Sequence, residues 1–563
     1  MKKSVLFLAV SLSLTGCNFL DFDESEGMTK EQAYGYFDNL LKLGDAAYRS
    51  LPSDFGSIGS VAFRESASDN SLYTWESNAI YDMYNGAWSP INLVDDQWSN
   101  YYSVIYDINS LLENYSEEQL ERYKWDVSYK ENIEKARMKL KEVTALRALY
   151  YFELVKRYGD VPLITKTLEL DEVNSVEKTK AYDVLQFVAN ECKLVADDLP
   201  LSHNDFYGET GRVTKGAALA IRARALLYAA SPLFIGEGHD QAVAWAAAAR
   251  AAYDVIAMNQ YSLPNIMEDP LYQYSMEGKG GNVVLDSPQL IFEKRFGQYN
   301  TLEKENLPIG FSYDTNTGNT PTQNLVDAFE MNDGTTFSWD NPENVAHMYV
   351  DENGQLSRDP RLYLTVLYNG STFMGQTIET FEGGRYGAPV TGATKTGYYL
   401  KKMMNEQVNL DPNNSKSENH HFPLYRYAEV LLNYAEAMNE WKGPEYTDVT
   451  CPLSAIEALN QVREAANMPG VASMDQITFR EKVRNERRVE LAFEDHRFWD
   501  IRRWMIGDVV TDIYGVKITK VGSAYRYTKE LVQQRAWDNK MYLYPIPANE
   551  TYLNDNLTQN KGW

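Results

Sequence analysis

A stretch of aromatic and polar residues near the start of the chain is the first candidate for chemistry. Tyrosine and tryptophan alternate there with short polar residues, and no sustained apolar periodicity runs through residues 64–88. Flat rings can pack against the C–H faces of a ligand, while arginine, carboxylate and amide groups bind its hydroxyls. This combination is typical of a site for a sugar ring, which presents both kinds of surface. The candidate residues are Arg64, Asp69, Asn70, Tyr73, Trp75, Tyr84 and Trp88.

The alternative is that these rings are packing residues, because aromatic side chains dominate core burial. The segment that follows shows what a packing pattern looks like. Trp98, Tyr101, Tyr102, Ile105 and Asn109 recur at helical spacing, so we assign them to a scaffold helix. For residues 64–88 both interpretations stay open.

Arginines and carboxylates are dense in residues 486–504, which could suggest a catalytic centre. We interpret this cluster as structural, because buried arginine–carboxylate networks must satisfy their own donors and acceptors. Helical spacing predicts that Glu494 pairs with Arg497 and Asp500 with Arg503. His496 is interpreted as a packed, hydrogen-bonded histidine.

The sequence carries no familiar catalytic motif. Gly-x-Ser-x-Gly, His-Glu-x-x-His, Gly-x-x-x-x-Gly-Lys-Ser/Thr and Cys-x-x-Cys are all absent. We therefore predict no catalytic residues, no metal site and no cofactor. A glycoside hydrolase stays open as an alternative, because it needs only two carboxylates about 5–9.5 Å apart. The 79 acidic residues offer many such pairs.

Composition narrows the class of protein. The chain has 563 residues with a net charge of −25, and 44% hydrophobic and 24% charged residues, as in an ordinary folded protein. Its length permits more than one structural lobe. The acidic excess argues against nucleic acid, because phosphate binding draws on clustered lysine and arginine.

The first residues predict a leader and not part of the fold. Lys2 and Lys3 precede ten largely apolar residues, which are too few to cross a bilayer, and residues 14–17 (LTGC) follow. This run resembles the bacterial lipobox, which implies a signal peptide at 1–16 and acylation of Cys17. The alternative is an ordinary secretory signal. Residues 17–27 form an acidic tether that also resembles export signals to the outer face of the outer membrane.

The elements that would position the candidates are mostly helices. Apolar periodicity predicts helices at about 30–50, 95–113, 131–158, 180–199, 213–231 and 240–258, and again at 424–440, 452–467 and 477–506. Alanine-rich faces favour close packing of helical hairpins. Residues 261–421 are richer in Gly, Asn, Asp, Thr and Pro, and predict an irregular insertion with short strands near 289–296, 362–368 and 398–404. We therefore predict a helical region at 28–260, the insertion at 261–421 and a C-terminal region at 422–563.

Several segments, spread in order over nearly the whole chain, form a recognisable set. They are 146–152 (LRALYYF) leading into 158–163 (YGDVPL), 211–218 (GRVTKGAA), 425–432 (YRYAEVLL), 486–504 (ERRVELAFEDHRFWDIRRW), and 544–547 (YPIP) with 556–560 (NLTQN). Each at its expected place in the order, these segments resemble the SusD/RagB family of surface lipoproteins.

This resemblance implies a mostly α fold, with a tetratricopeptide-like helical-hairpin scaffold and an irregular subdomain. It also implies a function without catalysis: binding a glycan at the cell surface as the lid of a SusC-like TonB-dependent transporter of the outer membrane. Some relatives handle peptides, so a peptide importer is a second alternative. The acidic charge makes a neutral saccharide the better match.

The resemblance also extends the candidate ligand-binding region. Sugar-contacting residues in SusD-like proteins tend to come from the early loop and from the inserted region. This implies a regional assignment, here to Arg295, Tyr299, Phe311 and Tyr313.

Overall fold

The computed structural model of the protein describes residues 29–52, 54–59, 61–203, 209–272 and 280–563. The predicted signal peptide and acidic tether, with Cys17, lie outside these residues. The described chain is mostly helical, and its strands form small two-stranded sheets, which confirms the predicted fold class.

Helices make up most of the chain before residue 260. Their bounds are α1 (Lys30–Tyr34), α2 (Phe37–Ala46), α3 (Ile80–Asn85), α4 (Trp98–Asn114), α5 (Glu117–Leu120), α6 (Tyr129–Tyr158), α7 (Leu170–Val173), α8 (Ala181–Ala196), α9 (Lys215–Ala230) and α10 (Gln241–Ile256). Three short strands lie between α2 and α3: β1 (Ser57–Ile58), β2 (Ala62–Phe63) and β3 (Ser71–Tyr73). Gly159 ends α6 at a φ of 71°, which glycine adopts without steric cost.

The long helices pack as successive neighbours and build the scaffold. Helix α6 packs on α8, α8 on α9, and α9 on α10. Ala217 and Ala220 on α9, and Ala249 and Ala252 on α10, are buried, so the two backbones approach closely. This is the close packing of helical hairpins that the alanine pattern predicts, and it is consistent with the tetratricopeptide-like scaffold that the resemblance implies.

The middle of the chain is irregular. Its elements are β4 (Leu290–Tyr299), α11 (Thr301–Asn306), β5 (Asn319–Pro321), α12 (Gln323–Ala328), α13 (Pro342–Ala346), α14 (Pro360–Thr365), β6 (Val366–Leu367), β7 (Thr372–Phe373), β8 (Gln376–Thr377), β9 (Tyr399–Leu400) and β10 (Glu418–Arg426). Strand β4 pairs with β10, β3 with β5, β6 with β9, and β7 with β8, all antiparallel.

Two predicted strands in this region are partly wrong. The expected strand at 362–368 begins as helix α14, because Pro360 occupies its first turn and the Asp359 side chain caps the N–H of Arg361. Only Val366 and Leu367 are extended. The strand expected near 398–404 is likewise reduced to Tyr399–Leu400.

Helices return in the last part of the chain. The elements are α15 (Tyr427–Lys442), α16 (Ala455–Ala465), α17 (Gln476–Glu490), α18 (Arg497–Arg503), β11 (Asp512–Val521), β12 (Ala524–Gln534) and α19 (Ala548–Leu553). Helix α15 packs against α10, so the scaffold resumes across the insertion. The domain boundaries at 260/261 and 421/422 stay a prediction, and β10 crosses the second of them.

The predicted helix at 477–506 is interrupted. Helix α17 ends at Glu490 and α18 starts at Arg497, and Phe493 and Asp495 between them have φ values of 61° and 60°. The break turns Glu494 toward Arg426 and Asp495 toward Arg64, two buried arginines. These ion pairs compensate for the strained backbone.

Cys192 and Cys451 are buried free thiols. Among the described residues, no helix combines the length and apolar character that crossing a bilayer requires.

Candidate functional site

The early loop, residues 61–88, buries the charged side chains of Arg64, Glu65 and Asp69. The Arg64 guanidinium donates to both carboxylate oxygens of Asp495 at 2.9 and 2.8 Å, and to Asp95 at 3.0 Å. These three side chains are at most 10% exposed. Arg64 therefore joins the loop to the break between α17 and α18.

A second buried cluster surrounds Asp69 and Asn70. Asp69 accepts from Arg497 at 2.8 Å and pairs with Arg488 at 2.9 Å, while Asn70 accepts from Arg488 at 2.7 Å. Burial alone would raise the pKa of Asp69, but Arg488 and Arg497 outweigh it and lower this pKa to about 2. Burial raises the pKa of Glu65, which accepts from Asn70 at 2.7 Å, to about 7.

The aromatic residues of the loop divide between the interior and the surface. Tyr84 donates its hydroxyl to the Ser66 carbonyl at 2.8 Å and accepts from the Tyr73 N–H at 3.2 Å. Trp88 packs edge-on against Tyr544 and Trp563, with ring centroids 5.2 and 4.7 Å apart. These rings belong to the core.

Six of the seven candidates in the loop are therefore buried, and the expectation that they present an exposed platform is wrong for them. The reason is that partners from distant parts of the chain cover the loop. Contact of any of the six with a ligand stays a prediction. The six are Arg64, Asp69, Asn70, Tyr73, Tyr84 and Trp88.

Trp75 is the candidate of the loop that reaches the surface. Its ring is half-buried, and its Nε1 donates to the Asn316 carbonyl at 2.6 Å. A Cβ on Gly392 would lie 2.9 Å from the ring, and Gly392 has a φ of 79°, so glycine is needed there for both reasons. Tyr313, in the same loop as Asn316, is 64% exposed, whereas Phe311 is buried.

An open aromatic cleft of about 350 Å³ lies at one end of the two-stranded β4–β10 sheet. Its walls combine aromatic rings with amide, hydroxyl and carboxylate groups. The lining residues are Phe55, Ser57, Val61, Phe63, Phe296, Gly297, Gln298, Tyr299, Thr301, Leu302, Glu305 and Asn306.

A β-bulge explains why Phe296 and Tyr299 share this cleft. Tyr299 pairs with Glu418 and Phe296 with His420, so the two strands shift register across Gly297. The extra residue puts two side chains three positions apart on the same face of the strand. The rings of Phe296 and Tyr299 lie 6.0 Å apart.

The wall of the cleft is supported from behind. The His420 ring lies 4.4 Å from that of Tyr299. His420 is fixed in turn, with one ring nitrogen 2.8 Å from the Glu303 carboxylate and the other 2.9 Å from the Glu418 carbonyl. Tyr299 is therefore a preorganised platform, which lowers the ordering cost of binding.

Trp75 and the cleft are connected through two hydrogen bonds. Glu305 lines the cleft and accepts from the Asn316 amide at 2.8 Å, and Asn316 accepts from Trp75 through its carbonyl. One continuous region thus carries aromatic surfaces beside a carboxylate and amides. This is the chemistry that a sugar ring requires.

Arg295 is not part of this region. It donates to Glu293 at 2.7 Å and to Thr210 at 2.9 Å, and its guanidinium fills the space beside Gly211. The bulge that brings Phe296 and Tyr299 together leaves Arg295 on the opposite face of β4.

Sequence reasoning missed Phe55, Phe296, Gln298 and Glu305. The one available signal was local: in a predicted strand, a glycine between two aromatics suggests a bulge. Nothing near Phe55 in the sequence indicates that it shares a cleft with residues more than 240 positions further along the chain.

The arginine-rich motif forms a buried network. Arg426 donates to Glu494 at 2.6 Å and to Glu490 at 2.7 Å, and with Arg361 it lowers the pKa of Glu490 to about 2 against the effect of burial. Asp500 pairs with Arg503 at 2.7 Å, as predicted.

The predicted pair of Glu494 with Arg497 is wrong, because Asp69 pairs with that arginine instead. His496 lies 3.1 Å from Arg487, and burial together with Arg487 lowers its pKa well below the usual range, so it packs as a neutral ring. Among the described residues, no group of three or more His, Cys, Asp or Glu side chains is arranged to hold a metal ion.

Comparisons with known proteins agree with the architecture. A model of the SusD family matches residues 289–563, and a model described as "Starch-binding associating with outer membrane" matches residues 38–227. The SusD-like protein P25 of Formosa agariphila is 24% identical over 99% of this chain and 97% of its own.

Two solved structures from Bacteroides fragilis are similar over almost their whole length. A SusD-like protein has a TM-score of 0.76 and 25% identity, covering 94% of this chain and 98% of that one. A SusD-like carbohydrate binding protein has a TM-score of 0.72 and 26% identity, covering 93% of this chain and 99% of that one.

Proposed function

The chain belongs to the SusD family, and from this premise we propose that it is a non-catalytic glycan-binding lipoprotein of the outer membrane. It captures an oligosaccharide or polysaccharide and delivers it to a SusC-like TonB-dependent transporter. One of the two similar Bacteroides fragilis proteins is described as a carbohydrate binding protein, which supports the glycan.

The aromatic cleft is the observation that carries this proposal. Phe296 and Tyr299 offer rings for the C–H faces of a sugar, and Gln298 and Glu305 offer partners for its hydroxyls. Each aromatic contact contributes on the order of 1 kcal/mol beyond burial, so we expect binding in the micromolar to millimolar range.

The lining of the cleft supports binding without cleavage. Glycoside hydrolysis needs two carboxylates about 5–9.5 Å apart. Of the described residues that line the cleft, Glu305 is the one that carries a carboxylate, and Asn316 already donates to it.

Charge supports a neutral ligand. Loss of residues 1–16 with Lys2 and Lys3 changes the formal charge from −25 to −27. Repulsion from this surface disfavours polyanionic glycans.

Affinity electrophoresis in gels that contain different polysaccharides tests the glycan proposal. We expect a neutral polysaccharide to retard the native protein in the gel. Each of Phe296→Ala and Tyr299→Ala should be retarded less, which corresponds to an affinity for the polysaccharide about tenfold lower. Tyr552→Ala is the matched control, because Tyr552 is 81% exposed and lies away from the cleft.

Three outcomes would contradict the proposal. Unchanged retardation of the Phe296→Ala/Tyr299→Ala double variant would remove the cleft from the mechanism. Release of reducing ends that a single Asp or Glu substitution abolishes would indicate a hydrolase. Binding to peptides and to no glycan would indicate a peptide importer.

Localisation and partner have their own tests. Labelling with an alkyne fatty acid should mark the native protein and fail for Cys17→Ala, and persistent label on that variant would refute acylation of this residue. A TonB-dependent barrel should co-purify with the tagged protein from outer-membrane extracts, and its absence there would argue against the partner.

A further inference from the structure

A second depression lies at the other end of the β4–β10 sheet. It has a volume of about 430 Å³ and is open to solvent. We call it the tyrosine depression. Its lining includes Tyr261, Ser262, Asn265, Tyr427, Gln461 and Glu464.

Two tyrosine rings form the floor of the depression. The rings of Tyr261 and Tyr427 lie 6.3 Å apart and are inclined by 32°. Tyr261 is half-buried, and Tyr427, which also lines the depression, is 8% exposed.

The Tyr261 ring is held in place from behind. Its hydroxyl bonds to the Thr214 side chain, which also caps α9. A Cβ on Gly216 would lie 1.8 Å from this hydroxyl, so the absence of a side chain there makes room for it. A platform fixed in this way loses little conformational entropy on binding.

Unused polar groups border the rings. Gln461 and Glu464 lie one turn apart on α16, and both are exposed. Neither side chain has a hydrogen bond or ion pair to another described residue. An amide and a carboxylate that are available for hydrogen bonds, beside two aromatic rings, match the hydrogen-bonding groups of a sugar.

A third polar group is already oriented. The amides of Asn265 and Asn467 bond to each other in both directions, at 2.7 and 3.2 Å. This pair fixes Asn265 at the rim of the depression. The chemistry of the aromatic cleft, with rings, amide and carboxylate, is therefore repeated here.

The β4–β10 sheet sets the distance between the aromatic cleft and the tyrosine depression. Its register runs from Tyr299 opposite Glu418, at the cleft, to Leu290 opposite Arg426, and Tyr427 follows directly. Beside it, the Ser262 N–H donates to the Pro288 carbonyl at 3.2 Å. A strand of ten residues spans about 30 Å at about 3.3 Å per residue.

We propose that the tyrosine depression is a second saccharide-binding site, for a segment of the same neutral glycan. This inference rests on the proposed function, since it presumes that the chain binds saccharide at the cleft. A polysaccharide that reaches both sites binds the second one at a high effective concentration, which raises its overall affinity.

Titration with a short neutral oligosaccharide, chosen from the gel panel, tests the second site. The native protein should bind two equivalents at saturation, and Tyr261→Ala should bind one. Gln461→Ala/Glu464→Ala, on the exposed face of α16, should also bind one and guards against misfolding of the tyrosine variant. Phe296→Ala/Tyr299→Ala should retain the equivalent at the depression.

Polymer binding provides the second readout. Tyr261→Ala should lose at least tenfold in affinity for the polysaccharide while its affinity for the short oligosaccharide at the cleft is unchanged. Tyr106→Ala, at an exposed tyrosine on α4, is the control and should match the native protein.

The outcomes separate the two proposals. One equivalent in the native protein, lost with the cleft variant and unaffected by the depression variants, would overturn the second site and leave the proposed function intact. Two equivalents that neither depression variant reduces would also overturn it. Binding of no saccharide at all would remove the proposed function and the second site together.

Discussion

The early loop and the aromatic cleft have similar compositions and opposite fates. Both combine aromatic rings with carboxylate and amide residues. In the loop, Asp69 is buried in an ion pair with Arg497, and Arg64 in one with Asp495. In the cleft, carboxylate and amide groups border open space.

The difference between the two regions lies in their partners. The charges of the loop meet opposite charges from the break between α17 and α18, and a buried charge is tolerated only with such a partner. Glu305 forms no ion pair with another described residue and accepts instead from the neutral amide of Asn316. A polar aromatic segment is thus a core or a binding surface depending on what the rest of the chain supplies.

Lowering the pH should have the largest effect on stability, and this effect should arise from the ion pairs of the core and not from the cleft. Buried arginines and Lys156 lower the pKa values of four buried carboxylates, Asp69, Glu153, Glu436 and Glu490, to about 2 each. Their stabilisation is complete above the unfolded pKa values near 4 and is lost as the pH falls toward 2. A pKa that folding lowers by one contributes about 1.4 kcal/mol to the free energy of unfolding at neutral pH.

The measurement is the urea midpoint from pH 7 to pH 2. It should fall steeply below pH 4, and it should also decline as the pH rises from 5 to 7, because burial raises the pKa of Glu65 to about 7 and ionising this carboxyl in the folded state costs stability. A flat midpoint down to pH 3 would show that these ion pairs do not stabilise the fold.

Breaking one pair of the loop should have the next largest effect. Arg497→Ala leaves Asp69 buried with one cation fewer, which costs about 3–5 kcal/mol of unfolding free energy. Chemical denaturation measures it. Lys180→Ala removes an exposed pair with Asp160 and should cost about 1 kcal/mol or less, so equal losses would contradict the distinction.

The two tryptophans of the early loop should respond differently. Trp88→Ala opens a cavity beside Tyr544, and we expect it to lower the free energy of unfolding by about 3 kcal/mol. The buried Trp88 N–H has no acceptor among the described residues, so its removal offsets part of the cost of the cavity. Trp75→Ala should cost less stability but weaken glycan binding about tenfold.

Thermal unfolding and affinity electrophoresis, run in parallel on both variants, separate these effects. Reduced binding in a folded Trp88→Ala protein and full binding in Trp75→Ala would reverse the assignment of core and surface.

Tyr313→Ala should have the smallest effect on stability, within about 0.5 kcal/mol, because the side chain is 64% exposed. We expect a loss of affinity for glycan below that of Trp75→Ala, because the Tyr313 ring is not anchored by a hydrogen bond from its side chain to another described residue. Calorimetry gives both values. A Tyr313→Ala protein that binds no glycan would move the centre of the site outward from the cleft.

Sequence periodicity predicts the scaffold well because a helix is a local structure. Apolar spacing predicts a helix at 131–158, and α6 spans Tyr129–Tyr158, with Gly159 ending it. Where local rules compete with long-range partners, the prediction is wrong. Helical spacing pairs Glu494 with Arg497, but the helix is interrupted there. Glu494 pairs instead with Arg426, and Arg497 pairs with Asp69.

The candidate site is predictable only by region. Trp75, Tyr299 and Tyr313 reach the surface, while segments more than 400 residues away in sequence contact the buried loop candidates Arg64, Asp69, Asn70 and Trp88. Closeness in sequence groups Arg295 with Tyr299. The bulge at Gly297 puts them on opposite faces, and a bulge depends on how β10 pairs with β4.

The ion pair of Asp69 with Arg497 also sets an order of events in folding. The two residues are separated by 428 positions, and synthesis proceeds from the N-terminus at about 5–20 residues per second. Asp69 therefore waits about 20–90 s for its partner. During that interval Asp69 has no arginine partner from the C-terminal region, and a chain that ends before residue 488 cannot form either ion pair. Completion of the C-terminal region is thus the step that converts the early loop from a polar strand segment into core.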